Sequence, residues 1–403
     1  MSAQDFTISP QLGRNIERVR QRSFIVGGIA LLACITGGFF QSEQFFRSYL
    51  FAYLFYLGLT LGCLAMLMLQ YLSGGAWGIV IRRITESATR TLPWLAALFI
   101  PILIGIPKLY IWSHADAVNA DPLLKHKQLY LNVPFFYARA LVYFAGWYLF
   151  AHFLNKWSHE QDVEGRDPDA RRQQLLSGPG LMFYGLSITF AAVDWVMSLD
   201  PHWYSTIYGL LFLAGQGLSA LSFCIALLVI LSAEGGPLEG AIRPSHFHDI
   251  GKLLFAFTML WAYFSYSQFL IIWSGNLAGE IPWYMERLKG GWQWIGILLV
   301  IFHFALPFAL LLSRTLKRAG TTLVRIAGLI IFMRFVDLFW MVAPDASKGA
   351  FRVHWMDILA PVAIGGLWLG MFLLQLRKWP LLPVRDPHLA EALALGGSSE
   401  SSH

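Results

Sequence analysis

FAAVDWVMSLDPHWYSTIY, residues 190–208, places one carboxylate, Asp194, inside an apolar segment that runs from Leu181 to Leu199. At about 1.5 Å of rise per helical residue, Asp194 is expected roughly 7 to 8 Å below the loop that opens at Asp200-Pro201, too deep for its short side chain to reach water easily. An acid in that position either is tied to a neighbouring helix or takes part in moving protons. Both readings stay open at this point, and the rest of the chain decides what surrounds the charge.

Of 403 residues, 56% are hydrophobic and 13% charged, against about 25% charged in an average soluble domain. The chain therefore reads as an all-α, polytopic membrane protein. Apolar runs of helical length predict about ten transmembrane helices, at 23–41, 48–72, 92–112, 133–155, 180–199, 204–232, 249–273, 292–313, 321–342 and 357–376. With the N-terminus inside, the inner connections hold eighteen Lys and Arg and the outer ones seven, including Arg287 and Lys348. Both termini are assigned to the cytoplasm, and the net charge of +6 follows from topology without nucleic acid.

Residues 1–22 are expected to form a cytoplasmic arm with Arg14, Arg18, Arg20 and Arg22, lying on the membrane surface or solvated. The apolar run after it has the length of a full span and no small-residue cleavage site, so the first helix is expected to be retained. The transmembrane domain covers 23–376, and 377–403 form a cytoplasmic tail expected to be mobile beyond Pro387. The longest connections, 73–91 with Arg82-Arg83 and 156–179 with Asp167-Pro168-Asp169, leave no room for a soluble catalytic domain.

A weak internal symmetry joins Val193-Asp194 with Pro201 to Val336-Asp337 with Pro344, at the same spacing. Ile111-Trp112-Ser113 and Ile272-Trp273-Ser274 match likewise. Repeats over 92–232 and 249–376 would give two four-helix bundles plus two additional helices, and such repeats often flank a functional site.

Tyr184, Ser187, Ala191, Asp194 and Ser198 share one helical face, a polar stripe that serves either helix packing or proton movement. Thr258, Trp261, Ser265 and Gln268 form a similar face on the seventh span. On the ninth, Arg334 and Asp337 are three residues apart and within reach of each other, as a neutral pair or one that opens to pass a proton. His303, near the middle of the eighth span, is either a core imidazole bonded to a hydroxyl or a quinol or proton partner. Lys108, Arg139 and Lys252 lie near span ends and are expected to snorkel; Asp357 is expected at the interface.

Cys34, Cys63 and Cys224 all fall in apolar segments, so no disulfide framework or thiolate cluster is expected. No Cys-x-x-Cys-His is present for a covalent c-type haem, and no pair of histidines is placed for a b-type one. His246-Phe247-His248-Asp249 resembles a metal site only superficially, since Asp249 can cap a helix there; no catalytic or metal residues are assigned. Nucleotide and hydrolase motifs are absent. Trp112, Trp203, Tyr204, Trp273, Trp283 and Trp292 are expected to form an outer aromatic belt.

WAYFSYSQFLIIWSGNLAGEIPWYMERL, from Trp261 to Leu288, and the following GWQWIGILLVIFHFALPFALLLSR resemble the ActF-type integral membrane subunit of alternative complex III. FAAVDWVMSLDPHWYSTIYG at 190–209 and SGGAWGIVIRRITESATRTLP at 73–93 resemble the same subunit, so the likeness covers most of the chain apart from its ends. It implies a quinol:electron acceptor oxidoreductase of the bacterial inner membrane, in which this subunit is a scaffold with a share in proton movement. Haem c and iron-sulfur clusters are then expected on partner subunits: multihaem and monohaem cytochromes c and an iron-sulfur subunit, beside an ActC-type quinol-binding membrane subunit. Membrane lipid, and a quinone, are further expected ligands. The resemblance transfers no residue roles. A secondary transporter and a purely structural anchor are the alternatives from other classes.

Overall fold

The computed structural model describes residues 6–165, 170–344 and 350–394. Asp167-Pro168-Asp169 and Lys348, together with the last residues of the tail, lie outside that description. Among the described residues every regular element is helical, and eight helices are long and apolar enough to cross a membrane.

The first, α1 (Pro10–Phe40), starts on a Ser9 cap and Pro10, and runs unbroken through the stretch read as a separate arm. Its arginine-bearing first turns are thus the same rod as the first span, with Glu17 paired to Arg377 at 2.5 Å. Most of α1 is exposed, whereas α2 (Ser42–Ser73) is almost wholly buried. A helix apolar on all sides belongs at a centre, and α2 packs against α1 and most of the later long helices.

After Gly74 and Gly75, both at positive φ, comes α3 (Ala76–Thr89), where the sequence reading expected a cytoplasmic loop. Residues Gly78 to Thr89 are all buried. This helix brings Ile79, Val80, Ile81 and Ile84 into the core, and its arginines are neutralised internally rather than by water. The stretch read as the third span then forms in three pieces, α4 (Leu92–Leu98), α5 (Ile100–Ile104) and α6 (Ile106–Leu109), each with a proline in its first two positions. Proline lacks an N–H and clashes with the preceding turn, so every piece restarts at one. Short helices α7 (Ala115–Ala120) and α8 (Pro122–Lys127) fill the next connection.

Helix α9 (Val133–Glu164) is capped by Asn132 and ends on left-handed Gly165; α10 (Arg171–Trp195) follows closely, so most of the expected inner loop is helix. α10 ends before Val196, earlier than its apolar run does. Asp194 therefore lies in the last helical turn. Then come α11 (Tyr208–Ser232), α12 (Pro244–Gly275) and α13 (Ile281–Arg287). The stretch read as the eighth span is α14 (Trp292–Leu298) and α15 (Leu306–Leu312), joined by a π-helical stretch Leu299–Ala305. After α16 (Arg314–Arg318) come α17 (Gly320–Val342), α18 (Trp355–Leu376) and a terminal α19 (Leu389–Ala394).

Helices α2 and α11 run side by side at the centre. A side chain at Gly62 would collide with the Gln216 carbonyl, so only glycine permits that approach. α11 also meets α10, α12 and α17. Leu381 and Leu382, after α18, are buried, and the Leu381 N–H donates to the Phe6 carbonyl at 3.0 Å; beyond Pro387, where the sequence predicts a mobile tail, Leu389 and Ala392 are buried as well.

The tryptophans depart from a belt. Trp112, Trp203, Trp283 and Trp292 are buried, leaving only Trp273 and Tyr204 of the expected set exposed. Trp203 stacks on Trp283 at 4.6 Å between ring centroids, so their ring faces are covered by each other.

Candidate functional site

Asp194 ends α10, where the helix dipole disfavours a negative charge. Its Oδ2 accepts from Arg139 Nε at 2.8 Å and from the Tyr143 hydroxyl at 2.8 Å, both from α9. Arg139 does not snorkel, as its position near a span end suggested. It is 8% exposed, lies over the rings of Tyr130 and Phe135 at 3.9 and 4.4 Å, and donates from Nη1 to the Tyr130 carbonyl at 2.9 Å. An arginine covered by two rings on one side and a buried carboxylate on the other has no reason to reach for water. Asp194 Oδ1 and Arg139 Nη2 remain buried without hydrogen-bond partners.

The remaining members of the polar face are buried, but they do not form one continuous chain. Ser198 Oγ donates back to the Asp194 carbonyl at 2.5 Å, and Ser187 Oγ to the Tyr184 carbonyl at 3.2 Å. Trp147 Nε1 donates to Ser187 Oγ at 2.8 Å, and the Tyr184 hydroxyl to Gln216 Oε1 at 2.7 Å. Trp147 and Trp195, with ring centroids 6.0 Å apart, pack beside the carboxylate's Tyr143. Hydroxyls bonded to carbonyls of their own helix do not link to one another.

A second buried carboxylate repeats the chemistry. Asp337 Oδ2 is paired with Arg334 Nη1 on the same helix, and accepts from Trp261 Nε1 of α12 at 3.1 Å. Arg334 fits because Gly215 on α11 has no side chain; a Cβ there would overlap the guanidinium. The other face of this assembly is His303, which the π-helical stretch holds edge-on to Trp261 at 4.4 Å between centroids. His303 is fully buried, and neither ring nitrogen has a hydrogen-bond partner. A neutral imidazole carries one N–H and one acceptor, so this ring is left with both unmet. π-helical turns often mark functional sites.

The remaining sequence candidates fall elsewhere. Thr258 Oγ1 donates to the Leu254 carbonyl at 2.8 Å. Gln268 accepts from Ser205 Oγ at 3.1 Å and donates to the Tyr284 hydroxyl at 3.4 Å, tying α12 to the loops at its far end. Ser265 is half-buried. Asp249 sits in the second turn of α12 and pairs with Lys252 at 2.9 Å, rather than capping the helix. Both His246 nitrogens are taken by backbone, Nδ1 by the Arg243 N–H at 3.0 Å and Nε2 facing the Ala392 carbonyl at 2.9 Å. Asp357 accepts from Ser48 Oγ at 2.6 Å and Gln44 Nε2 at 2.9 Å at the start of α18.

Sequence reasoning missed Arg139 and Tyr143 as partners of Asp194, and it missed Arg287. Read as an outer-loop cation, Arg287 is completely buried and donates to the carbonyls of Trp283, Trp340 and Met341 at 3.0, 3.2 and 2.9 Å. It thereby closes the C-terminal end of α17, whose free carbonyls attract a cation. Comparison with protein-family models and with curated proteins finds no match for this chain.

Proposed function

We propose that this chain is an ActF-type membrane subunit of a quinol-oxidising alternative complex III, a ten-helix body in the bacterial inner membrane with both termini cytoplasmic. It serves as scaffold and supplies part of a proton path. α9 and α17 count as spans beside the eight because their charges, Arg139 and the Arg334–Asp337 pair, are held inside the bundle. The chain is not catalytic alone. Haem c, iron-sulfur clusters and the better established quinol site belong to partner subunits.

The observation that carries this reading is the orphaned His303 imidazole edge-on to Trp261, which itself bonds Asp337. Asp337 and His303 are ionisable groups packed on one indole inside an apolar body, and packing alone gives no reason to leave both ring nitrogens unbonded. The stripe's self-bonded hydroxyls favour a second reading, in which the α10 side is purely structural and the chain only anchors the complex.

Asp194→Asn, Asp337→Asn and His303→Phe variants of the assembled complex, reconstituted in liposomes, separate the two. The proton reading expects quinol oxidation to persist while proton movement drops severalfold in Asp337→Asn and His303→Phe. Unchanged proton movement in all three leaves the anchor. Purification of the chain free of haem-bearing partners from native membranes overturns its place in the complex.

A further inference from the structure

At the end of the bundle that carries both termini, a cavity of about 320 Å³ opens between Arg90, the inner part of α9 and the end of α18. Its polar wall is made by Arg90, His152, Asn155, Lys156 and His159, with Trp379 beside them, and among the described residues no carboxylate lines it. Glu86 stands behind this wall but is already engaged, by Arg83 at 2.5 Å and by Ser158 at 2.6 Å, and it reaches Arg90 only at 3.7 Å. Glu160 likewise meets Lys156 only at 4.0 Å.

Three buried atoms of the wall lack hydrogen-bond partners: Arg90 Nη1, His159 Nδ1 and Asn155 Oδ1. The orientation of the Asn155 amide is fixed by its surroundings. Its Nδ2 donates to the Ala151 carbonyl at 2.7 Å and to Thr89 Oγ1 at 2.9 Å, and Thr89 in turn donates to the Glu86 carbonyl at 2.8 Å. Asn155 Oδ1 is therefore a buried acceptor that still lacks a donor, in a residue 93% out of solvent that lines the cavity. Beside it stand Arg90 Nη1 and the Lys156 ammonium, which ask for an anion. Away from the polar wall the cavity is bounded by Tyr148 and Ala151, and exposed Leu149, Phe153 and Trp94 continue an apolar surface along α9 and α4.

We propose that this cavity binds the headgroup of an anionic phospholipid that also carries a hydroxyl, as phosphatidylglycerol does. The phosphate meets Arg90, Lys156 and His159, a glycerol hydroxyl donates to Asn155 Oδ1, and the acyl chains follow the exposed face of α9. Basic pockets between helices at a membrane surface take phospholipid headgroups on the same physical grounds. This site is separate from the Asp194 and Asp337 carboxylates.

The test is native mass spectrometry of the full chain released from nanodiscs, with bound lipid counted, alongside thermal midpoints. The wild-type chain retains phosphatidylglycerol at least fivefold over phosphatidylcholine and is stabilised by it. Arg90→Gln/Lys156→Gln loses that preference. Should the double variant fail to fold, Lys156→Gln alone, at an exposed side chain, lowers retention at least twofold. Asn155→Ala weakens phosphatidylglycerol while leaving phosphatidic acid, which lacks the hydroxyl, unchanged. Equal retention of phosphatidylglycerol in wild type and Lys156→Gln overturns the proposal. So does equal binding of phosphatidylcholine, or displacement of the lipid by millimolar inorganic phosphate, which would make this a free-anion site. Unchanged phosphatidylglycerol binding in Asn155→Ala overturns the headgroup assignment.

Discussion

Arg139 reaches from α9 to the last turn of α10 and holds the Asp194 carboxylate at 2.8 Å, both side chains being buried. Removing one partner of such a pair leaves an uncompensated charge and costs about 3 to 5 kcal/mol, whereas removing both costs much less. Arg139→Gln is thus expected to lower the thermal midpoint in detergent strongly. Asp194→Asn should be milder, because the cation keeps the Tyr130 carbonyl and two aromatic faces. The double variant should be more stable than Arg139→Gln alone. A double variant no better than the single one would show that the pair is not coupled.

Arg287 offers a different test, because its partners are carbonyls rather than a carboxylate. Three hydrogen bonds at the end of α17 and a guanidinium 3.6 Å from the Trp283 ring centroid depend on one planar group. Charged hydrogen bonds contribute about 1.5 to 3 kcal/mol each, though not additively. Arg287→Ala should therefore destabilise by at least about 3 kcal/mol. Arg287→Lys should recover only part, since an ammonium cannot match the fork. Chemical denaturation followed by tryptophan fluorescence reads both, and full recovery by lysine would refute the planar-group argument.

What the sequence reveals and what it hides follow the same division. Apolar runs of spanning length mark the long helices, because lipid and core make the same demand on them. Arg334 and Asp337 could be matched because they are three residues apart on one helix. Arg139 could not be matched to Asp194, fifty-five positions away, since that contact depends on how α9 and α10 pack. Its other reading, a side chain reaching the membrane surface, fits the same sequence equally well. Residues 76–89 read as loop because charge suggests water; their arginines instead find Asp386, Glu86 and Asp162, distant or folded back, and the helix is buried from Gly78 to its end. His303 was legible as a buried imidazole, but its unbonded state depends on what the π-helical stretch places around it.

In the connection between α7 and α8, Asp121 caps α8 and faces His202 Nε2 at 2.6 Å. The hydrogen bond from His202, with those from the Leu123 and Leu124 N–H groups, holds the Asp121 carboxyl below its usual value. A carboxyl lowered on folding contributes stability above its unfolded value, near 4, and that contribution is lost as pH falls through the folded value. Wild-type stability should therefore fall more steeply than that of Asp121→Asn as pH drops below about 4. Parallel melting curves across that range would exclude the contact as a source of acid sensitivity.

The pairing of Arg82 with Asp386 makes the C-terminal segment part of the fold. Arg82 Nη1 meets Asp386 Oδ2 at 2.6 Å, with both side chains 2% exposed, and Arg82 Nε donates to Gln70 Oε1 at 3.2 Å. One guanidinium thus ties α2, α3 and the segment after α18 together, and α19 follows directly, with Leu389 and Ala392 buried. Asp386→Asn leaves Arg82 buried with only a neutral acceptor, at a cost of about 3 to 5 kcal/mol. Truncation after Arg385 should cost more, because it also uncovers the apolar surface beneath α19 and frees His246 from the Ala392 carbonyl. If the segment is a strap, limited proteolysis should cut Asp386→Asn between α18 and α19 well before it cuts wild type, and Arg82→Gln in the same chain should slow that cutting by removing the stranded charge. Equal cutting of wild type and Asp386→Asn would mean that apolar contacts alone hold the segment.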